Sequence, residues 1–141
     1  MKKMFVNETI CAGCRYCEIM CSLAHSKNSE VNPRKSRIRI KSDPKNGIDV
    51  PNVCRQCPEP QCMAACVSGA ISINAVIGNM EIDYDKCIGC MQCVTACPFS
   101  AVMVDVDTSL PIICDLCGGE PNCIKHCRIL AHIGVRTLNY K

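Results

Sequence analysis

Residues 87–98 read CIGCMQCVTACP: Cys87, Cys90, Cys93 and Cys97 in a C-x2-C-x2-C-x3-C run closed by Pro98. The unit recurs. Residues 11–21, CAGCRYCEIMC, repeat the spacing with Cys11, Cys14, Cys17 and Cys21. Residues 54–66, CRQCPEPQCMAAC, widen the second gap around Cys54, Cys57, Cys62 and Cys66. Residues 114–127, CDLCGGEPNCIKHC, do the same around Cys114, Cys117, Cys123 and Cys127. The four groups use all 16 cysteines, and each ends in a C-x3-C step. This is an internal repeat of a four-ligand unit.

The spacing has a chemical meaning. Groups one and three match the bacterial run for 4Fe–4S clusters, although only group three carries the following proline. Three closely spaced thiolates wrap one corner of a cubane. Gly13 and Gly89 sit where so tight a turn needs glycine. The fourth cysteine is expected to begin a short helical turn that points toward a neighbouring cluster, which it ligates. Groups two and four insert PEPQ and GGEPN, a wider loop for the same task. Structural zinc takes two separated cysteine pairs rather than three cysteines in seven residues. Disulfides fit neither this spacing nor a reducing compartment.

Composition agrees. The 141 residues include no tryptophan, two phenylalanines and three tyrosines, so the hydrocarbon core is modest. A chain this poor in core needs staples, and cysteine at roughly 11% of residues supplies them. The formal charge of +3 counts every thiol as neutral. With sixteen thiolates and four oxidised cluster cores the holoprotein falls to about −5. The basic residues then offset cluster charge, which argues against a nucleic-acid partner. Met4-Phe5-Val6 gives way at once to Asn7-Glu8, so there is no signal-peptide apolar region. Runs such as 101–104 are far too short for a bilayer. These features read as a soluble, cytoplasmic chain with no direct membrane insertion.

Between the cysteine groups, alternation predicts short strands at 1–7, 34–41 (RKSRIRIK, with Ser36, Ile38 and Ile40 inward), 101–105 and 135–139. Residues 70–73 and 80–83 flank Gly78-Asn79 and read as a hairpin. Residues 18–25 read as helix. Groups two and three, with the hairpin between them, form a ferredoxin-like core at 54–106. Residues 1–53 and 107–141, which carry groups one and four, form an outer module. The expected fold is a small, loop-rich α+β double ferredoxin-like arrangement of two modules with two clusters each, built from short strands and short helices around the clusters.

The segments CRYCEIMCSLAHS, NPRKSRIRIK, VCRQCPEPQC and ICDLCGGEPNC carry a resemblance over nearly the whole chain. It resembles the four-cluster iron–sulfur subunits that accompany molybdenum and tungsten enzymes of the DMSO reductase and formate dehydrogenase type. It looks closest to the short subunits paired with tungsten aldehyde oxidoreductase, carbon monoxide dehydrogenase or hydrogenase. The resemblance implies four 4Fe–4S clusters and nested ligation. By it, Cys11, Cys14 and Cys17 share a cluster with Cys127, and Cys114, Cys117 and Cys123 with Cys21. Cys54, Cys57 and Cys62 share one with Cys97, and Cys87, Cys90 and Cys93 with Cys66. The crossing within each pair of groups follows ferredoxin logic; the pairing of group one with group four comes from the family. A sequence-local alternative pairs one with two and three with four. The function implied is relay of single electrons between a larger catalytic subunit and an acceptor such as a flavin or ferredoxin protein. A diffusible polyferredoxin is the alternative.

No dinucleotide fingerprint, P-loop or nucleophile elbow is present, and every cysteine is spoken for, so the chain is not expected to be an enzyme on its own. Ser22, Val67 and Arg128 stand where proline often follows the fourth cysteine, so each keeps an N–H that could reach sulfur and raise a cluster's potential. Met20, Met63 and Met91 are placed to shield clusters from water. His25, His126 and His132 are the only histidines. His126 adjoins Cys127 and reads either as a tuning charge or as a surface residue. The basic stretch 34–41 reads either as a docking patch or as an ordinary solvated strand face.

Overall fold

The structure is a computed structural model that describes residues 2–129 and 132–137, the last six by their backbone. Its strands are β1 (Lys2–Val6), β2 (Ile38–Asp43), β3 (Ile48–Val53), β4 (Ile71–Ile73), β5 (Met80–Ile82), β6 (Met103–Val104), β7 (Pro111–Ile112) and β8 (His132–Thr137). Its helices are α1 (Tyr16–Ala24), α2 (Gln61–Ala64), α3 (Gln92–Ala96) and α4 (Asn122–Lys125). The result is a small, loop-rich α+β fold. The strands pair antiparallel into four two-stranded sheets: β1 with β8, β2 with β3, β4 with β5, and β6 with β7. The first and last described strands therefore pair, and α1 packs on α4 while α2 packs on α3.

Expected and observed elements agree in part. The hairpin around Gly78-Asn79 is present, with Ile71 opposite Ile82 and Ile73 opposite Met80. In the basic stretch, Ser36, Ile38 and Ile40 are buried as the alternation requires, but Pro33–Lys35 form a 3-10 turn and the strand starts only at Ile38. β3 and β7 were not expected. Pro51 in β3 and Pro111 in β7 disfavour a strand locally, but in a two-stranded sheet every strand has a free edge, and proline is tolerated there. The strand expected at 135–139 begins earlier, at His132; residues 138 and 139 lie outside the described residues.

The core is sparse in hydrocarbon. Its buried cluster joins Met4, Ile38, Ile40, Val53, Ile71, Met80, Val102, Ile113 and Leu116 to seven cysteines. Buried polar side chains stitch the segments together. Glu18 on α1 accepts the Ile40 N–H of β2 at 2.6 Å, and Asn52 donates to the Ser100 carbonyl at 2.8 Å. Gln56, 0% exposed, donates to the Cys114 carbonyl at 2.6 Å and accepts the Met80 N–H at 2.7 Å. One amide thus joins group two, group four and β5. Gln56→Leu leaves a buried N–H and a buried C=O unpaired, and is expected to destabilise the holoprotein by about 3 kcal/mol. The measurement is the denaturant midpoint for loss of cluster absorbance; an unchanged midpoint would show that Gln56 is not a tie.

Candidate metal centres

The four cysteine groups share one local architecture. The residue before the second cysteine is left-handed in every group: Gly13 (φ 62°), Gln56 (φ 48°), Gly89 (φ 69°) and Leu116 (φ 55°). That turn swings the first two thiols toward one point. Glycine adopts it freely, whereas a residue with a Cβ is strained there. Gln56 and Leu116 are held in it by complete burial. A Cβ at Gly13 would also meet the Asp49 carboxylate. The third cysteine is then the second residue of a helix in every group: Cys17 in α1, Cys62 in α2, Cys93 in α3 and Cys123 in α4. The short helices therefore begin at the third cysteine rather than the fourth, which lies one turn further on. Pro60 and Pro121, from the widened gaps, sit at the N-caps of α2 and α4. There a missing N–H removes nothing from the helix.

These helices bring cysteines from different groups together. Cys11, Cys14, Cys17 and Cys127 line one small apolar cavity with Tyr16, Ile40 and Ile129. Cys66, Cys87, Cys90 and Cys93 line a second with Ile71, Ile82, Met91 and Pro111. Burial pushes the Cys54 thiol up to about 12, and Cys62, Cys57 and Cys97 press on it from close range. Burial also drives Cys114 far above the usual thiol range, with Cys21, Cys123 and Cys54 as charged neighbours. Cys123 is raised by burial and then by Cys21, Cys117 and Cys17. Burial lifts Cys17 to about 12 and Cys93 to about 11. All the cysteines are free of disulfides. Four sulfur donors around an apolar hollow, the deepest of them raised by burial, suit a metal centre that takes thiolates and neutralises their charge. The donor set fits 4Fe–4S clusters.

Backbone amides complete the fit. Ala70 N–H donates to Cys66 Sγ at 3.3 Å, Ala101 N–H to Cys97 Sγ at 3.4 Å, and Arg37 N–H to Cys21 Sγ at 3.3 Å. The donor to Cys66 is thus Ala70 and not Val67, the residue that replaces the usual proline. Among the described hydrogen bonds, neither Val67 nor Ser22 gives its N–H to a thiol.

Exposure separates the groups. Cys14 and Cys90 are exposed, whereas Cys54 and Cys114 are buried. Ile10 and Tyr16 are exposed near Cys14, and Val67 and Ile88 flank Cys66 and Cys87 at the surface. Met91 lines its cavity, Met63 packs on the core and Met20 is half-buried. His126 is an exposed residue whose ring meets Tyr16 edge-on at 6.5 Å. The His132 side chain lies outside the described residues. In the basic stretch, Lys35 pairs with Asp107 and Arg37 with Asp115, while Arg39 donates to the Arg34 carbonyl. Three of its cations are therefore engaged within the chain.

His25 carried no role in the sequence reading. Its Nε2 lies 3.1 Å from Asp115 Oδ1, and these two residues with Cys117 place potential ligand atoms within 4.8 Å of one another. Imidazole and carboxylate already face each other, so the trio is an ion pair beside a thiol. Burial alone would lower His25, but hydrogen bonds to Asp115 and Cys21 outweigh it and lift the ring to about 10. Burial alone would raise Asp115, but His25 and Arg37 hold it well below the usual carboxylate range. Only a spatial partner 90 residues away could have revealed this pair.

Residues 80–103 match the family model described as a 4Fe–4S binding domain. The chain is 39% identical over 133 residues to the polyferredoxin-like subunit of the aliphatic sulfonate oxidoreductase of Pyrococcus furiosus, covering 93% of this chain and 75% of that one. It is 33% identical to the electron transport protein HydN of Escherichia coli K12, covering 83% and 78%. Among solved structures it is similar to a chain of the active-site complex BamBC of benzoyl coenzyme A reductase, with a TM-score of 0.60 and 30% identity over 96% of this chain and 79% of that one.

Proposed function

The chain belongs to the family of small ferredoxin-like iron–sulfur electron-transfer subunits, a non-catalytic carrier. From that premise we propose that it holds four 4Fe–4S clusters in a line and relays single electrons between a catalytic subunit and an acceptor. Each cluster, when bound, takes up and releases one electron at a time.

The observation that carries this reading is the order in which the quartets couple electrostatically. Cys93 feels the charge of Cys62 and Cys66, Cys114 that of Cys54, and Cys123 that of Cys17. Linked in that order, the quartets run from exposed Cys90, through the buried thiols Cys54 and Cys114, to exposed Cys14. The nested ligand sets place Cys66 with group three, Cys97 with group two, Cys21 with group four and Cys127 with group one. The packing of α2 on α3 supports an inner module at 54–106. The packing of α1 on α4 and of β1 on β8 supports an outer module at 1–53 and 107–141. In each module the chain fixes thiolates at set separations, aims N–H groups at sulfur and excludes water from the inner quartets. At the two ends it leaves a thiol at the surface.

The catalytic partner is a tungsten or molybdenum oxidoreductase, on the family resemblance; the relatives' names pair such subunits with an oxidoreductase and a benzoyl coenzyme A reductase. Sixteen free thiols fit the reducing cytoplasm. Among the described residues no helix is long and apolar enough to cross a membrane. Native protein purified without oxygen is expected to co-migrate with a much larger subunit and to contain about sixteen irons per chain. A small, monodisperse species would favour a diffusible polyferredoxin, and stoichiometric zinc would end the reading.

A further inference from the structure

In groups two and three the local chain closes off the terminal cysteine. Gly69 N–H donates to the Cys66 carbonyl at 3.1 Å, and Ala70 N–H to its sulfur at 3.3 Å. Ser100 N–H donates to the Cys97 carbonyl at 3.1 Å, and Ala101 N–H to its sulfur at 3.4 Å. Two consecutive amides, three and four residues on, serve each fourth cysteine.

Group one cannot repeat this. Helix α1 runs past Cys21 to Ala24, and the His25 N–H turns back to the Ser22 carbonyl at 3.3 Å. The two donors are rebuilt from elsewhere. His25 Nδ1 lies 2.8 Å from the Cys21 carbonyl oxygen and 3.8 Å from Cys21 Sγ. The Arg37 N–H, just before β2, donates to Cys21 Sγ at 3.3 Å. Asp115 braces both residues: it accepts from His25 Nε2 at 3.1 Å and pairs with the Arg37 guanidinium. It also accepts the Cys117 N–H at 2.9 Å. The carboxylate therefore ties the donors around Cys21 to the backbone of another member of its quartet. With a carbonyl facing Nδ1 and a carboxylate facing Nε2, both ring nitrogens are held as donors.

We propose that His25, braced by Asp115 and Arg37, is a positioning residue for Cys21 that raises the reduction potential of the cluster held by Cys21, Cys114, Cys117 and Cys123. The physical basis is that N–H donors to a ligand sulfur, and a ligand fixed in place, favour the reduced and more negative cluster. At Cys97 the described donors are backbone amides, and at Cys66 the Ser68 hydroxyl lies 3.7 Å from sulfur beside the two amides. Among the described hydrogen bonds, only at Cys21 does a side chain also take the place of the amide that serves the cysteine carbonyl. The inference rests on Cys21 belonging to that quartet.

The test is an EPR-monitored redox titration of the full chain, with iron counted in parallel. Cys21→Ser first marks which signal belongs to this cluster. His25→Phe keeps a ring but no N–H; it should lower that one midpoint and leave the other three unmoved. His25→Gln, which retains an N–H donor, should recover part of the shift. Selective loss of that one cluster in His25→Phe, reversed in His25→Gln, supports the positioning of Cys21 and overturns the effect on potential as its main role. Full iron with no midpoint moved, or all midpoints moving together, overturns the inference and leaves the four-cluster reading intact. If Cys21→Ser perturbs no signal, the ligand reading fails and the inference fails with it.

Discussion

Removing iron from the chain without oxygen is expected to unfold it, with loss of the far-UV circular dichroism spectrum and of any cooperative thermal transition. The argument starts from what is left to hold the fold. Four separate two-stranded sheets are each marginal in water. Three of the four helices have four or five residues, well short of independent stability. The buried cluster counts seven cysteines among its members, and two of them, Cys17 and Cys93, line cavities rather than packed hydrocarbon. Binding of the inorganic cores is then a large part of the folding free energy. A pH dependence follows with a definite sign. Burial lifts Cys17 and Cys54 to about 12, so without a cluster these thiols are protonated at neutral pH. Ligation must expel those protons, so assembly weakens as pH falls. Proton release during anaerobic reconstitution in weak buffer measures this directly. An iron-free chain that keeps a native spectrum and a sharp melt would show that the hydrocarbon core suffices.

The cysteine spacing made the four thiol groups legible because each is written locally, within eleven to fourteen residues. The left-handed turn before the second cysteine was readable at Gly13 and Gly89, where glycine announces it. The same turn at Gln56 and Leu116 was not, since tertiary burial imposes it on residues that do not favour it. β3 and β7 went unseen because proline outweighs two or three apolar neighbours in any local reading. The Arg34–Lys41 stretch showed its alternation but not its purpose. Arg37 acts through a backbone N–H that reaches Cys21, sixteen residues away. Nothing local marks Glu18, Asn52 and Gln56, yet each bridges two segments. Local chemistry was visible in the residues themselves; these ties depend on which distant segments meet.

Cys97→Ala and Cys66→Ala are expected to remove different clusters, each from the neighbouring group. Cys97 follows α3 in group three, yet it is one of the charges crowding Cys54 and Cys62. Its loss should take the inner cluster of group two, drop iron from about sixteen to about twelve per chain, and cut electron flow between the Cys90 and Cys14 ends. Cys66 lines the cavity of Cys87, Cys90 and Cys93, so its loss should take the surface cluster at the Cys90 end instead. Alkylation of the native variants, read by mass spectrometry, identifies the released thiols. Cys97→Ala should label Cys54, Cys57 and Cys62; Cys66→Ala should label Cys87, Cys90 and Cys93. Iron loss alone cannot separate nested from sequence-local ligation, because both schemes lose one cluster per missing thiolate. The identity of the labelled cysteines does separate them. Each C-x3-C step places its fourth thiol one helical turn beyond the third, on the side of the neighbouring quartet. Label on Cys114, Cys117 and Cys123 in the Cys97 variant would favour the sequence-local pairing, and label on Cys87, Cys90 and Cys93 would mean that this turn does not carry the thiol across; with either, the crossed contacts that put the quartets in line would lose their meaning.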